Sequence, residues 1–179
     1  MTFKTKKIAL IAAGIALFVV LSICLQVPVF ENYYLCLGYV AMAVYSYSFG
    51  TLAGTLVGTL GVVLYCVVIN GMRGMPGWTL GNAVIGILLG VTFRATRNMR
   101  SAFLRTAIHC LAIGASTALG ILIVKSLTES LLYTQPMVLR IAKNTSAFIA
   151  DVVTLLVSLP ICRMLDGPAR KLFPEMAGR

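Results

Sequence analysis

The chain has 179 residues, of which 59% are hydrophobic and only 11% charged, and its mean hydropathy is +0.95. An ordinary soluble domain is about 45–50% apolar and about 25% charged, and at this length it still leaves about a third of its unfolded area in water, so lipid must cover what a soluble core cannot. The formal charge of +10 is no nucleic-acid footprint. The basic residues gather at Lys4, Lys6 and Lys7, at Arg94, Arg97, Arg100 and Arg105, and at Arg163, Arg170, Lys171 and Arg179, with long apolar runs between, which is the positive-inside pattern of a membrane protein.

A spanning helix needs about 20 mostly apolar residues. In chain order the predicted spans are 8–27, closed by Pro28; 34–48, short and rich in aromatics; 50–69; 79–93, also short; 101–125; and 140–163. The expected architecture is an all-α integral membrane protein, one domain over 1–179, folded as a compact bundle of six transmembrane helices. The short second and fourth spans are expected to be tilted or partly buried within protein. With the N-terminus in the cytoplasm an even number of spans returns the C-terminus there, and all three basic clusters, eleven of the fifteen Lys and Arg residues, fall inside. Residues 1–24 share a basic start and an apolar run with signal peptides, and Leu21-Ser22-Ile23-Cys24 resembles a lipoprotein processing site. Ile23 is bulky where such a site needs a small residue, and further spans follow, so the segment is read as the first helix.

Small residues recur four apart. Ala9 and Ala13, and Ala12 and Ala16, do so on the first span; Gly50, Gly54 and Gly58, with Thr51, Thr55 and Thr59 beside them, on the third; Gly86 and Gly90 on the fourth. Such ridges let another backbone come close. On the third span that neighbour is expected within the bundle; on the first, packing within the bundle and contact with a partner protein both remain open.

The segments expected outside are Val27 to Tyr34, with Glu31; Asn70 to Trp78, with three glycines, Pro76 and Arg73; and Ser126 to Leu139, with Glu129, Tyr133, Gln135 and Pro136. Their polar and aromatic residues make either an interfacial belt or the lip of a small-molecule pocket. Ionisable groups within a membrane are costly and mark function by default. Asp151 lies mid-way along the sixth span with Asn144 seven residues earlier on the same face; it could pair with a substrate amine or ring N–H, or with a Lys or Arg of a neighbouring helix. Trp78 and Asn82 could hold a flat heterocycle by stacking and hydrogen bonds; the plainer reading is an interfacial Trp and a helix-packing Asn. Arg73 is a loop charge or a contact for an acidic ligand group. His109 is read as a hydrogen-bonded structural residue.

Cys24, Cys36, Cys66, Cys110 and Cys162 form no CxxC pair, and one His cannot complete a zinc site with them. They are read as small apolar residues. No HExxH, G-x-S-x-G or GxxxxGK[ST] occurs, and no paired carboxylates or His–Ser or His–Cys arrangement stands at usable spacing. No enzyme, metal or cofactor is expected, and no ATP hydrolysis by this chain.

Three segments carry a family resemblance. Lys7 to Gly14 (KIALIAAG), the run Leu37-Gly38-Tyr39-Val40 with Phe49 to Gly58 (FGTLAGTLVG), and Gly77 to Gly90 (GWTLGNAVIGILLG) resemble, in that order, the Ala-rich first helix, the "LG…FGPxAGxLVG" helix turn and the fourth helix of the S components of energy-coupling factor (ECF) transporters, of the riboflavin or uncharacterised type. Thr51 stands where Pro is usual. The resemblance spans the whole length and rests on the order and joint fit of the motifs.

It implies a substrate-capture subunit in a bacterial-type cell membrane. Such a subunit binds a vitamin or related small heterocycle at the outer face, between helices four to six and the outer loops. It docks onto a transmembrane T component carrying two cytoplasmic ATPases, topples, and releases the ligand inside. Ala9, Ala12, Ala13 and Ala16 would be the docking face. From position and chemistry in this sequence, the expected pocket residues are Asn70, Trp78, Asn82, Tyr133, Asn144 and Asp151. A small transporter or channel that needs no partner and a membrane scaffold are the competing readings; the first predicts uptake without ATPases, the second no small-molecule binding.

Overall fold

The apolar runs become helices because every backbone N–H and C=O must be satisfied within its own segment once water is absent. The computed structural model describes residues 3–24, 27–30, 33–70 and 75–174. Helix α1 is Phe3–Cys24. A short antiparallel ribbon of β1, Val27–Phe30, and β2, Tyr33–Leu35, pairs Val27 with Leu35 and Pro28 with Tyr34. Then come α2, Gly38–Phe49, and α3, Thr51–Tyr65, which continues through a π-helical turn Cys66–Asn70. Helix α4 is Met75–Ala95 and α5 is Ala102–Thr117. A π-helical segment, Ala118–Lys125, joins α5 without a break to α6, Ser126–Tyr133. Thr134, in the left-handed conformation at φ 52°, ends that rod, and α7, Met137–Leu172, follows with Pro160 and Pro168 inside it.

The helices differ from the predicted spans in length. Among the described residues five are long and apolar enough to cross a membrane: Thr5–Cys24, Thr51–Ile69, Met75–Ala95, Ala102–Tyr133 and Met137–Leu172. The second predicted span, 34–48, opens as strand and leaves a helix of 12 residues, about 18 Å long at 1.5 Å per residue and shorter than a hydrocarbon core of about 30 Å. Eight of its residues are buried, Tyr39, Met42 and Tyr45 among them, so protein covers it on most sides. The fourth span is longer than 79–93. The fifth runs past residue 125 because the expected outer loop from Ser126 is helix through Tyr133. The sixth extends beyond 163 to Leu172.

Close approach is set by small residues, since in lipid van der Waals packing replaces the hydrophobic drive between helices. A Cβ added at Gly90 would lie 2.5 Å from Thr51 Cα, and one at Gly86 2.8 Å from Thr55 Cα, so α4 rides directly on the threonine row of α3. On its other faces α3 sets Gly54 against Ser46, Gly58 against Met42 and Gly61 against Phe18 of α1. The glycine ridge is therefore internal packing. Gly81 and Gly120 bring α4 and the π-helical segment together, a Cβ on Gly81 falling 2.7 Å from the Gly120 carbonyl oxygen. Gly50 turns α2 into α3 at φ 88°, a conformation open to glycine and strained for other residues. Thr51, the residue after it, is the first of α3, a helix position that suits proline because its N–H has no partner in the helix.

Helix α1 sends Gly14, Phe18 and Ser22 inward, and Ala9, Ala12, Ala13 and Ala16 are exposed on its other side. Gly14 meets Tyr45 and Val57, Ser22 meets Cys36 at 3.2 Å, and Phe49 meets Phe173 at 5.9 Å between ring centroids. The start of α1 and the end of α7 thus share one end of the bundle with the 96–101 turn. This is the basic end; the other carries the ribbon, Trp78 and α6.

Candidate functional site

At the end opposite the arginines the bundle holds a chain of polar and aromatic groups that four elements build together. Asn82, two turns into α4, is fully buried and donates through Nδ2 to the Gly58 carbonyl at 3.2 Å, a contact open because glycine leaves that oxygen bare. Its Oδ1 accepts from the Tyr39 hydroxyl at 2.8 Å, and that hydroxyl accepts from the Trp78 indole Nε1 at 3.0 Å. Trp78 is half-buried and stands edge-on to Tyr65 at 5.8 Å. The first turn of α2, the first turns of α4 and the carbonyl row of α3 are locked by three bonds, each giving a buried polar atom the partner it needs.

Asp151 of α7 is buried beside this chain, interacting with the Tyr39 hydroxyl and with the field of Lys125. A carboxylate and an ammonium in a low-dielectric setting attract far more strongly than in water. Lys125 closes the π-helical segment and faces the start of α4, since a Cβ on Gly77 would lie 3.1 Å from the Lys125 carbonyl oxygen and 3.1 Å from Glu129 Cγ. Helices of the π type are rare and recur at functional sites; here the eight-residue segment precedes a turn in which Ser126 and Glu129 are buried.

A second knot adjoins the first through Lys125. Asn144 Nδ2 donates to Ser126 Oγ at 3.0 Å and to Glu129 Oε2 at 3.1 Å. Arg140 meets the same Glu129 oxygen at 3.5 Å and lies over the Tyr133 ring at 4.9 Å. Glu129 is only 6% exposed, so its charge is tolerable because Arg140 and Asn144 answer it.

The expected pocket residues therefore fall in two adjoining groups: Trp78, Asn82 and Asp151 in one, Tyr133 and Asn144 in the other. Asn70 ends the π-helical turn of α3; its side chain lies outside the described residues, as do Arg73 and the side chain of Glu31. Tyr39, Lys125, Ser126, Glu129 and Arg140 are members that sequence reasoning did not place in the site. Tyr39 is hidden in a run of aromatics, and Glu129 lay in a presumed loop. A signal existed for Glu129 and Arg140, opposite charges eleven residues apart with only Thr134 to Pro136 to turn the chain between two helices. Among the described residues no group of three or more His, Cys, Asp or Glu could hold a metal.

The arrangement brings an aromatic face, a buried carboxylate, an ammonium and amide groups together at one end of the bundle. Residues 2–166 match the family described as "ECF-type riboflavin transporter, S component". A UPF0397 protein of Lactococcus lactis subsp. cremoris (strain SK11) is 34% identical over 95 residues. The match takes in 50% of this chain and 49% of that relative, so the aligned part spans about half the length of each.

Proposed function

Because the chain belongs to the family of S components of ECF-type riboflavin transporters, we propose that it captures a flavin or a closely related vitamin-like heterocycle at the Trp78 end of the bundle. The observation that carries this is the hydrogen-bonded run Trp78–Tyr39–Asn82 beside the buried Asp151 and its counter-charge Lys125. A flavin ring presents one N–H between two carbonyls along an edge of a flat apolar body. A carboxylate suits the N–H, an ammonium or amide N–H suits the carbonyls, and an indole suits the ring face. Asp151, Lys125 and Asn144 take the polar contacts in this reading. Trp78 and Tyr133 flank the ring, Asn70 closes the rim, and Asn82 holds Tyr39 and Trp78 in place.

In this reading the basic end lies in the cytoplasm and the Trp78 end outside, in a bacterial cell membrane, an orientation that the positive-inside asymmetry supports. Delivery requires a T component with two ATPases. The exposed row Ala9, Ala12, Ala13 and Ala16 is the proposed docking face, small enough for a partner helix to approach and leave without interlocking. The exposure of that row, beside the inward Gly14, Phe18 and Ser22, supports this use.

Trp78 is the single tryptophan, so its emission reports the site directly. Small molecules released from gently purified protein should include a flavin by mass spectrometry. Riboflavin added to emptied protein should quench Trp78 emission saturably at one-to-one stoichiometry. Emission that is unchanged at saturating riboflavin, with no heterocycle released, would sink the capture reading.

A further inference from the structure

Helix α7 has 36 residues, about 54 Å at 1.5 Å per residue, against a hydrocarbon core of about 30 Å. A surplus that ran out into water would turn its apolar side toward the bundle and its polar side outward. The last turns of α7 do the reverse. Met164 is 76% exposed and Leu172 74%, and Leu165 and Pro168 are exposed between them. Asp166 and Arg170 take the other side, where they line a cavity of about 290 Å³ with Tyr47, Phe93 and His109. Arg170 Nε donates to Asp166 Oδ1 at 2.8 Å, so these two charges are matched within the tail itself.

The tail is fastened to the bundle. Cys162 is fully buried, and Arg163 donates to Thr106 Oγ1 near the start of α5 at 2.6 Å. Phe173, just past the helix, meets Phe49, the last residue of α2, at 5.9 Å between ring centroids.

The exposed apolar side is no isolated patch. Ile149, Val153 and Val157 are exposed along the spanning part of α7. Met164, Pro168 and Leu172 continue that row at steps of seven, four and four residues, spacings that stay on one side of a helix. Lipid covers the first half of the row, and the row does not break at Arg163. Arg163 and Lys171 stand exposed beside it. With Asp166 matched by Arg170, the tail presents positive charge alone to its surroundings.

A helix with an apolar row edged by Lys and Arg lies in the membrane interface, its apolar side sunk to the boundary of headgroups and acyl chains. Long basic side chains keep their heads among the headgroups, where the negative potential of anionic lipid attracts them. We propose that the last three turns of α7, residues 162–172, are an interfacial anchor docked on an anionic lipid surface at the basic end. The anchor ties that end to one face of the membrane without help from a ligand or a partner protein.

The test uses the full chain with Cys24 and Cys110, both exposed, replaced by Ser. An NBD dye is attached at Met164→Cys or at Leu172→Cys, positions exposed enough that the change disturbs no packing. The protein is placed in vesicles of phosphatidylcholine with or without phosphatidylglycerol. Doxyl groups on the lipid should quench both dyes severalfold more than aqueous iodide does. Phosphatidylglycerol should shift the emission further to the blue, and Arg163→Gln with Lys171→Gln should abolish that shift. The comparison of vesicles in the chain that keeps both cations stands whether or not this variant folds. Iodide as the stronger quencher would put the tail in water and overturn the proposal. Protection from both quenchers would overturn it as well, since a second copy or another protein would then cover the face. So would an emission indifferent to phosphatidylglycerol in the chain that keeps Arg163 and Lys171.

Discussion

The two ends of the bundle use similar side chains to opposite effect. At the Trp78 end Glu129 is answered by Arg140 and Asn144, and Asp151 is buried near the Tyr39 hydroxyl in the field of Lys125. At the basic end Arg97, Arg105 and Arg170 line a cavity together with Asp166, which Arg170 engages, and Thr96 holds the His109 ring. The two ends differ in how their charges are arranged locally rather than in which residue types are present, and in low dielectric each charge or donor needs a partner.

That contrast can be broken or sharpened at four places. The largest effect is expected from Asp151→Ala, which should raise the dissociation constant for riboflavin by about 10- to 100-fold, the worth of a hydrogen bond to a charged group of about 1.5–3 kcal/mol. Titration by Trp78 quenching checks it, and an unaltered constant in a folded variant would make Asp151 structural. Combined with Arg105→Gln the losses should add within error, since sites without shared partners behave independently; strong coupling would mean that the ends communicate.

Next is Gly90→Val. Its side chain has no room over Thr51, where even a Cβ lies 2.5 Å from Cα, and forcing α3 and α4 apart should cost about 1–3 kcal/mol. The melting temperature in detergent should fall while the folded variant keeps its riboflavin binding. Ala12→Leu with Ala16→Leu should come third, cutting recovery of a complex with the T component and ATPases by about tenfold, or ~1.4 kcal/mol, with riboflavin affinity untouched. A full yield of complex would move docking away from this face of α1. The smallest change is expected from Thr96→Val, which strips the fixed partner from His109 and should lower stability by about 0.5–1.5 kcal/mol. It should leave riboflavin binding unchanged; a lowered riboflavin affinity in this variant would tie the basic end to the capture site.

Helical character, membrane residence and the grouping of basic residues were legible because they depend on local composition and on the requirement that backbone bonds close within a segment. Asp151 and Asn144 could be read as inward-facing from their seven-residue spacing. Helix ends were less legible. Residues 126–133 carry Ser, Thr and Glu and look like a loop, yet Ser126 and Glu129 find partners on α4 and α7 that make helix tenable there. Tyr39 gave no local sign of its role, because its value lies in accepting from Trp78 and donating to Asn82, residues about forty positions away.

By itself the sequence determined that this chain is a bundle of apolar helices in lipid, held together by ridges of small residues and polarised by charge. Those properties sum over neighbouring residues, so spacing and composition suffice. Only the tertiary structure decided that α2 is a short, mostly buried helix, that the α3 glycines serve internal packing and the α1 alanines stay exposed, and that Lys125 and Glu129 belong with Asp151 and Asn144. It alone decided, too, that three arginines from distant segments meet around one cavity. Hydrogen bonds and charge pairs act over a few ångströms between elements, and which elements come that close depends on how glycine-lined faces stack, a property of the whole bundle.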